Sequence, residues 1–501
     1  MSRERLTLGI LLAATFGLRA IHPGQPIVEN YVGRQIPTAM VARNLDRGSG
    51  FLRPELDTGP FPNLFLVEPP IYAQVVAWVR PAIGFVLEPT GRLVSASAIV
   101  LAAWGLYGIA RRREGPAVAL LALASFSIFP VMVRYGRAFQ PDALMLGCVL
   151  AGLRGWDEYE AGGVRRWAIF GGFVLATGLA IKITSAWALI PFALIVRRWP
   201  IAWRMMMAFA MLGPAFAWYL HAWGDASGPR SGSMASSDNA AIWIRTLSPA
   251  AWLRFSTYEN IARGMTVRSF TPPGLVMAAW GLMGLGALDR VWKGWAVGCG
   301  LSVLILAAKW HHDYYWMLAA PLAAVGVGRG MVGLWDRGRS GRRIAAALGS
   351  FFLVLCVVQS ASTWRTPAEW SSLIEAAREV DTLWSPSSEE FLIAPEALLY
   401  YADRRGFRLE FDPEAVRRAA GEWGEPIASP GDALALVRFY REQVRRNDRE
   451  TLPWYARIRG VADVGLESDL PRRRAWRRAI RESPGVKVRV DRPDMLIAEF
   501  R

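Results

Sequence analysis

About eleven apolar runs recur along the first 361 residues of this 501-residue chain, and they constrain its fold more than any other feature. They fall near 5–21, 93–110, 115–133, 142–155, 167–183, 185–196, 205–222, 273–288, 294–308, 316–334 and 344–361. Most are long enough to approach the thickness of a bilayer as helices. With the N-terminus placed in the cytoplasm and the spans alternating, the short cytoplasmic loops carry Arg3/Arg5, Arg111–Arg113, Arg165/Arg166, Arg197/Arg198/Arg204, Arg290/Lys293 and Arg337/Arg339/Arg342/Arg343. Every such basic cluster falls on one side, as the positive-inside rule requires. The sequence therefore predicts a mainly α, polytopic transmembrane bundle of about 11 spans, followed by a C-terminal soluble α/β domain outside the cytoplasm.

Composition agrees with this. The chain is 53% hydrophobic and holds 23 tryptophans, which favour the headgroup layer. Residues 362–501 hold 24 basic and 24 acidic side chains, so the whole net charge of +16 lies in the apolar part. A nucleic-acid binder would carry its basic excess on the soluble domain, which argues against nucleic acid as a partner. The excess instead suits membrane lipids with anionic headgroups. Cys148, Cys299 and Cys356 all lie in apolar runs, so no disulfide framework is expected in residues 362–501. The opening stretch lacks a small-residue cleavage site and reads as a retained first span.

Three regions lie outside the bundle. Residues 22–91 form a first external loop with two short helices. One is "PTAMVARNL" (37–45), with Pro37 suited to its first turn; the other covers 71–87 and lies along the interface, because Gln74, Arg80 and Pro81 interrupt it. Residues 223–272 form a second external loop with a Gly/Ser-rich stretch of the kind that makes lids. In residues 362–501, helical patterns ("AEWSSLIEAAREVDTLW", "PEALLYYADRRG", "PGDALALVRFYREQVRR") alternate with strand-like runs ("EFLIAP", "FRLEF", "VKVRV", "MLIAEF").

Ionisable side chains beside apolar spans point to function, because each costs on the order of 2–3 kcal/mol in hydrocarbon. They gather on the external side. The first loop offers Glu29, Arg34, Arg43 and Glu68, the last in "VEPPIYA". "RYGRAFQPDALML" adds Arg134, Arg137 and Asp142, and "GLAIKITSAW" adds Lys182. "AKWHHDYYWMLAAP" supplies Lys309, His311, His312, Asp313, Tyr314 and Tyr315. Each also has an ordinary structural reading. Glu68 would cap the following helix, Arg137 would pair with Asp142, Lys182 would snorkel to the interface, and the histidines would sit in an aromatic belt. Together, carboxylates, cations and histidines at one depth suit an anionic headgroup, a divalent metal and acid/base chemistry.

In "RQIPTAMVARN", "VEPPIYA", "GRAFQPDALML" and "HHDYYWMLAAP" the chain resembles the GT-C superfamily of polytopic glycosyltransferases. Within it, the likeness is to the branch containing the protein O-mannosyltransferases and the lipid A aminoarabinose transferase. The resemblance covers roughly residues 5–360. It implies transfer of a sugar from a polyprenyl-phosphate donor to a glycan, lipid or protein acceptor, in a bacterial inner membrane. It further implies a divalent metal (Mg, Mn or Zn) or phosphate contact at Glu68. It assigns donor-phosphate contacts to Arg34, Arg137, Lys182, Lys309, His312 and Tyr315. The family places an acid in the first loop as catalytic base, whereas this chain reads Arg34-Gln35-Ile36-Pro37 there, with proline at the acid's place. Glu29 and Asp142 are the carboxylates left for that role. A lipid-linked-substrate transporter or flippase, and a non-catalytic membrane scaffold, are the alternative functions.

Overall fold

The computed structural model describes residues 3–29, 32–58, 63–226, 249–283, 288–306, 309–310, 312–384, 391–409, 458–466, 471–482 and 486–500. Each apolar run contributes helix. The first is Arg3–Arg19, and the longest is Leu87–Glu114, ~42 Å from end to end at 1.5 Å per residue. Among the described residues, Leu87–Glu114, Ile201–Gly224 and Gly338–Trp364 are long and apolar enough to cross a membrane. The other runs give shorter apolar helices, so these lengths do not establish the expected count of eleven spans. The run at 115–133 divides into Pro116–Ile128 and Pro130–Tyr135. Pro130 forces Phe129 out of the helical region (φ −50°, ψ 131°), which breaks the helix there.

Small residues bring the helices together. Asp142–Gly162 and Arg165–Ile181 are joined only by Gly163, in the left-handed region at φ +67°, and Val164. The pair returns antiparallel with Gly155 against Gly171, where an added Cβ would lie 2.7 Å from the partner backbone. Pro272–Met283 and Ala320–Trp335 meet in the same way through Gly281, Gly326 and Gly330. The outer surface of the bundle exposes apolar side chains, including Phe173, Phe209, Leu220, Phe351 and Val357. At the end where Leu87–Glu114 terminates, the basic clusters are partly neutralised: Arg112 pairs with Asp157 at 2.9 Å and Arg113 with Asp289 at 3.0 Å.

The first loop departs from expectation in detail. Its first helix runs Val32–Asp46, so Pro37 lies inside it and not in its first turn. The second runs Ile71–Ile83 straight through Gln74, Arg80 and Pro81, and stops at Gly84 in the left-handed conformation (φ 68°). It buries Tyr72, Ala73, Val76 and Ala77 and leaves Trp78 71% exposed.

The C-terminal region holds a five-stranded mixed sheet of order β2-β1-β3-β5-β4. The strands are β1 (Phe391–Ala394), β2 (Gly406–Arg408), β3 (Ile458–Val464), β4 (Val486–Arg492) and β5 (Met495–Phe500). Strand β1 runs parallel to β2 and β3, while β5 runs antiparallel to β3 and β4. Four strands match the sequence runs. Strand β3 was not anticipated, because Gly460 and Asp463 interrupt its apolar pattern. The helical stretch predicted at "PGDALALVRFYREQVRR" lies outside the described residues.

This sheet domain shares one apolar core with the first loop. Ile27, Val28, Ile36, Met40, Tyr72 and Val76 pack in the same cluster as Leu373, Leu398, Tyr400, Met495 and Ile497. Polar contacts reinforce the junction. Arg43 binds Asp57 (2.6 Å), Asp403 (3.0 Å) and the Tyr400 carbonyl (2.7 Å). The Gly406 N–H donates to the Asp57 carbonyl at 2.9 Å, and Thr58 forms a parallel bridge with β2.

Candidate functional site

The site begins where the glycine-packed helix pair opens. An antiparallel pair puts the start of one helix beside the end of the other. Asp142 is the first residue of Asp142–Gly162, and Lys182 follows the last residue of Arg165–Ile181. Each charge suits its helix end, an acid at the N-terminus and a cation at the C-terminus. Lys182 Nζ lies 2.6 Å from Asp142 Oδ1, and both residues are buried. The other oxygen, Asp142 Oδ2, is buried with no hydrogen-bond partner.

A second layer comes from the short 3-10 helix Asp313–Leu318. It places the Tyr314 ring 4.6 Å and the Tyr315 ring 5.6 Å from Lys182 Nζ, a cation–π arrangement on two aromatic faces. His312 stacks on Tyr314, with centroids 5.5 Å apart and planes 11° from parallel. Asp313 turns the other way, 3.2 Å from Arg268 and 3.8 Å from Arg134.

The first loop closes the site from above. Pro69 and Pro70 lead into Ile71–Ile83, and no side chain caps that helix, so Glu68 is not its cap. Glu68 instead forms an ion pair with Arg34, whose guanidinium lies 5.4 Å from the Phe65 ring centre. Leu64 and Leu66 fix this stretch by packing on Trp218 and Ala222 of the helix Ile201–Ala226, with Tyr219 beside them. Burial opposes the Arg34 charge, but the carboxylates of Glu68 and Asp142 outweigh it and hold Arg34 above its usual range. Glu68, Arg34 and Tyr315 also act electrostatically on Lys182. Lys309 feels Lys182 and Arg34: burial first, then these two like charges, pull it down to about 8.

The structure thus brings together Arg34, Glu68, Asp142, Lys182, Lys309 and Tyr315, with His312 one ring away. Glu29 and Arg137 lie elsewhere. Glu29 is ion-paired with Arg92, and both are fully buried. Arg137 does not meet Asp142; it donates to the carbonyls of Thr363 (3.2 Å) and His22 (2.9 Å). These two tie the first loop to the bundle. Arg92, Tyr219 and Arg268 were not singled out in the sequence. Arg92 carried a readable signal, a lone arginine at the head of the apolar run 93–110, whereas Tyr219 had none.

Among the described residues no group of three His, Cys, Asp or Glu side chains converges to form the metal site expected at Glu68. Glu68 is engaged by Arg34 and Asp142 by Lys182, and a third cation, Lys309, stands nearby. Two carboxylates already matched by cations do not fit a divalent ion. They fit a cation-rich pocket in which Arg34, Lys182 and Lys309 face the same space, an arrangement suited to an anion.

Solved structures share this architecture. ArnT from Cupriavidus metallidurans, in a crystal structure bound to undecaprenyl phosphate, superposes with a TM-score of 0.64 at 12% identity, over 99% of this chain and 97% of that one. The Archaeoglobus fulgidus oligosaccharyltransferase, in complex with Zn and sulfate, gives 0.53 at 12% identity, over 94% of this chain and 69% of that one. The mycobacterial arabinofuranosyltransferase AftD gives 0.52 at 15% identity, over all of this chain and 40% of that one. The chain has the GT-C fold, as its motifs suggested. Within it, residues 67–220 match the family model of dolichyl-phosphate-mannose-protein mannosyltransferases, a segment that runs from the Glu68 turn to Tyr219. No curated protein matches the chain in sequence.

Proposed function

We propose that this chain is an integral-membrane glycosyltransferase that moves a sugar from a polyprenyl-phosphate donor to an acceptor. One observation carries the reading. Buried Glu68, Asp142 and Lys182 and half-buried Arg34 and Lys309 converge at one end of a helical bundle that has the GT-C fold. In this reading Arg34, Lys182 and Lys309 hold the donor phosphate, with Tyr315 and His312 lining the same wall. The acceptor hydroxyl or amine attacks the anomeric carbon from the face opposite the phosphate, which inverts that centre. The bond from the anomeric carbon to the phosphate oxygen breaks, and polyprenyl phosphate leaves with the bonding pair, its charge matched by the cations. The acceptor's proton passes to Asp142, whose buried Oδ2 has no hydrogen-bond partner within the protein. Glu68 acts through Arg34, fixing the guanidinium before the donor arrives. Glu29 and Arg137 serve here as scaffold. The chemistry sits on the side carrying the first loop and the sheet domain, read as the extracytoplasmic face of a bacterial inner membrane.

The test is sugar transfer by purified protein from a synthetic polyprenyl-phosphate sugar, with Asp142→Asn and Glu68→Gln compared. Asp142→Asn is expected to lower kcat by about 10²–10⁴-fold with little change in donor KM. Glu68→Gln is expected to raise donor KM, since it releases Arg34. Normal turnover by Asp142→Asn rejects its role as base. Full activity in both variants rejects the site.

A further inference from the structure

The segment that follows residue 248 has a surface the transfer reaction does not require. After the short turn Pro249–Leu253 comes the helix Phe255–Arg263, continued by a π-helical turn, Gly264–Ser269. At 100° per residue its nine side chains divide into three sectors. Thr257, Asn260 and Ile261 face the protein, with Thr257 buried and its hydroxyl donating to the Ala251 carbonyl at 2.6 Å. Phe255, Tyr258 and Ala262 form an adjoining sector that is apolar and exposed, Phe255 by 81% and Tyr258 by 51%. Ser256, Glu259 and Arg263 form the third sector, exposed and polar, with Glu259 and Arg263 paired at 3.0 Å. Leu253, 89% exposed, and Val267, 55% exposed, are further bare apolar side chains in the turns before and after the helix.

A helix wholly in water has no reason to carry an exposed apolar sector beside a charged one. A spanning helix would not carry the charged sector. Three sectors facing protein, hydrocarbon and water describe a helix lying in the plane of a membrane surface. Its surroundings agree. Trp252 donates from Nε1 to the Leu304 carbonyl at 3.2 Å, which pins the segment to the end of the helix Arg290–Ile305. That helix turns Val297, Leu301, Leu304 and Ile305 outward, so the apolar surface continues from one helix to the other. Arg254 is exposed at the start of the segment and Arg263 at the end of the helix, where guanidinium groups meet headgroup phosphates.

We propose that Phe255–Arg263 docks on the lipid leaflet on the site side of the bundle, with Phe255, Tyr258 and Leu253 below the headgroups and Ser256 in water. The consequence for the site is mechanical. Gly264 packs against Trp316 so closely that a Cβ would lie 2.3 Å from Nε1. Trp316 belongs to the same turn as Tyr314 and Tyr315, and Arg268 binds Asp313 at its start. The leaflet thereby sets the height of the turn that faces Lys182. This inference stands whether or not the chain transfers sugar.

The experiment uses the full chain in phosphatidylethanolamine–phosphatidylglycerol nanodiscs. Cys148, Cys299 and Cys356 are replaced by alanine, and an environment-sensitive fluorophore is attached at Phe255→Cys or Ser256→Cys. A lipid-borne nitroxide is expected to quench the first label several-fold more strongly than the second, and aqueous iodide to do the reverse. Iodide quenching of both labels overturns the proposal, because the helix then lies in solvent. Shielding of the first label from both quenchers also overturns it, because a protein surface then covers the face. Hydroxyl-radical footprinting of the unmodified chain in the same nanodiscs gives a result independent of those substitutions. Phe255 and Tyr258 are expected to resist oxidation; oxidation at the rate of water-exposed aromatics overturns the proposal.

Discussion

Charge balance around one amine gives the sharpest prediction at the residue scale. Lys309 is drawn down to about 8 by burial and by its neighbours Lys182 and Arg34. A group lowered in this way is charged below that pH and loses its charge as pH rises through it. An arriving phosphate favours the charged form, so the dependence belongs to binding and not to the later chemical step. We expect kcat/KM for the lipid donor to decline between pH 7 and 9 while kcat stays level. Lys309→Arg should keep its charge and flatten that decline, which a pH series on the two proteins measures directly. Residue by residue, the sequence revealed the kinds of side chain but not their partners. Lys182 and Asp142 are 40 positions apart, and only the fold of the helix pair shows that they touch. Arg137 sat nearer to Asp142 in sequence, yet it turns to backbone carbonyls.

Close packing decides behaviour at the scale of elements. A Cβ on Gly281 would lie 1.9 Å from the Gly326 carbonyl oxygen, which leaves no space for a methyl group between Pro272–Met283 and Ala320–Trp335. Gly281→Ala should therefore push these helices apart and cost on the order of 1–3 kcal/mol. Gly300→Ala is the matched control, since nothing lies within 4 Å of its Cβ position. A thermal-unfolding series in detergent should show a lower midpoint for the first and an unchanged or slightly raised one for the second, since alanine suits a helix interior better than glycine. Helices were the legible part of this chain, because a continuous apolar run needs only its length to be recognised. Their interruptions were less legible. Pro37 read as a helix start, but Val32–Asp46 accommodates it internally, and Thr38 returns its hydroxyl to the Arg34 carbonyl at 2.8 Å. Strand β3 was hidden because its buried Asp463 looks like a surface residue until Arg477, equally buried, is seen 2.8 Å away.

For the whole molecule, the union of first loop and sheet domain matters most. Arg43 is its central bond, and Asp57 beside it is 2% exposed. Removing the guanidinium leaves that buried carboxylate with only Asn44 at 3.1 Å and Arg405 at 3.9 Å, at a cost of about 1–3 kcal/mol. Arg43→Gln should therefore loosen the junction, and limited proteolysis should cut the first loop sooner than in the unaltered chain. Equal cutting rates would show that the apolar core alone holds it. The sequence suggested a separate C-terminal unit because its charge balance changes abruptly near residue 362. That change was real, but composition does not reveal which distant segment a domain will pack against.

The same union fixes an order of events in time. The Ile27 N–H donates to the Tyr401 hydroxyl at 2.6 Å across 374 positions of chain. At 5–20 residues per second, a ribosome needs roughly 20–75 seconds to travel that distance. Throughout that interval Ile27, Val28 and Met40 lack the neighbours that later cover them. One of the earliest stretches to emerge is therefore among the last to mature, and a chaperone that shelters it would have to let go only when translation is nearly over.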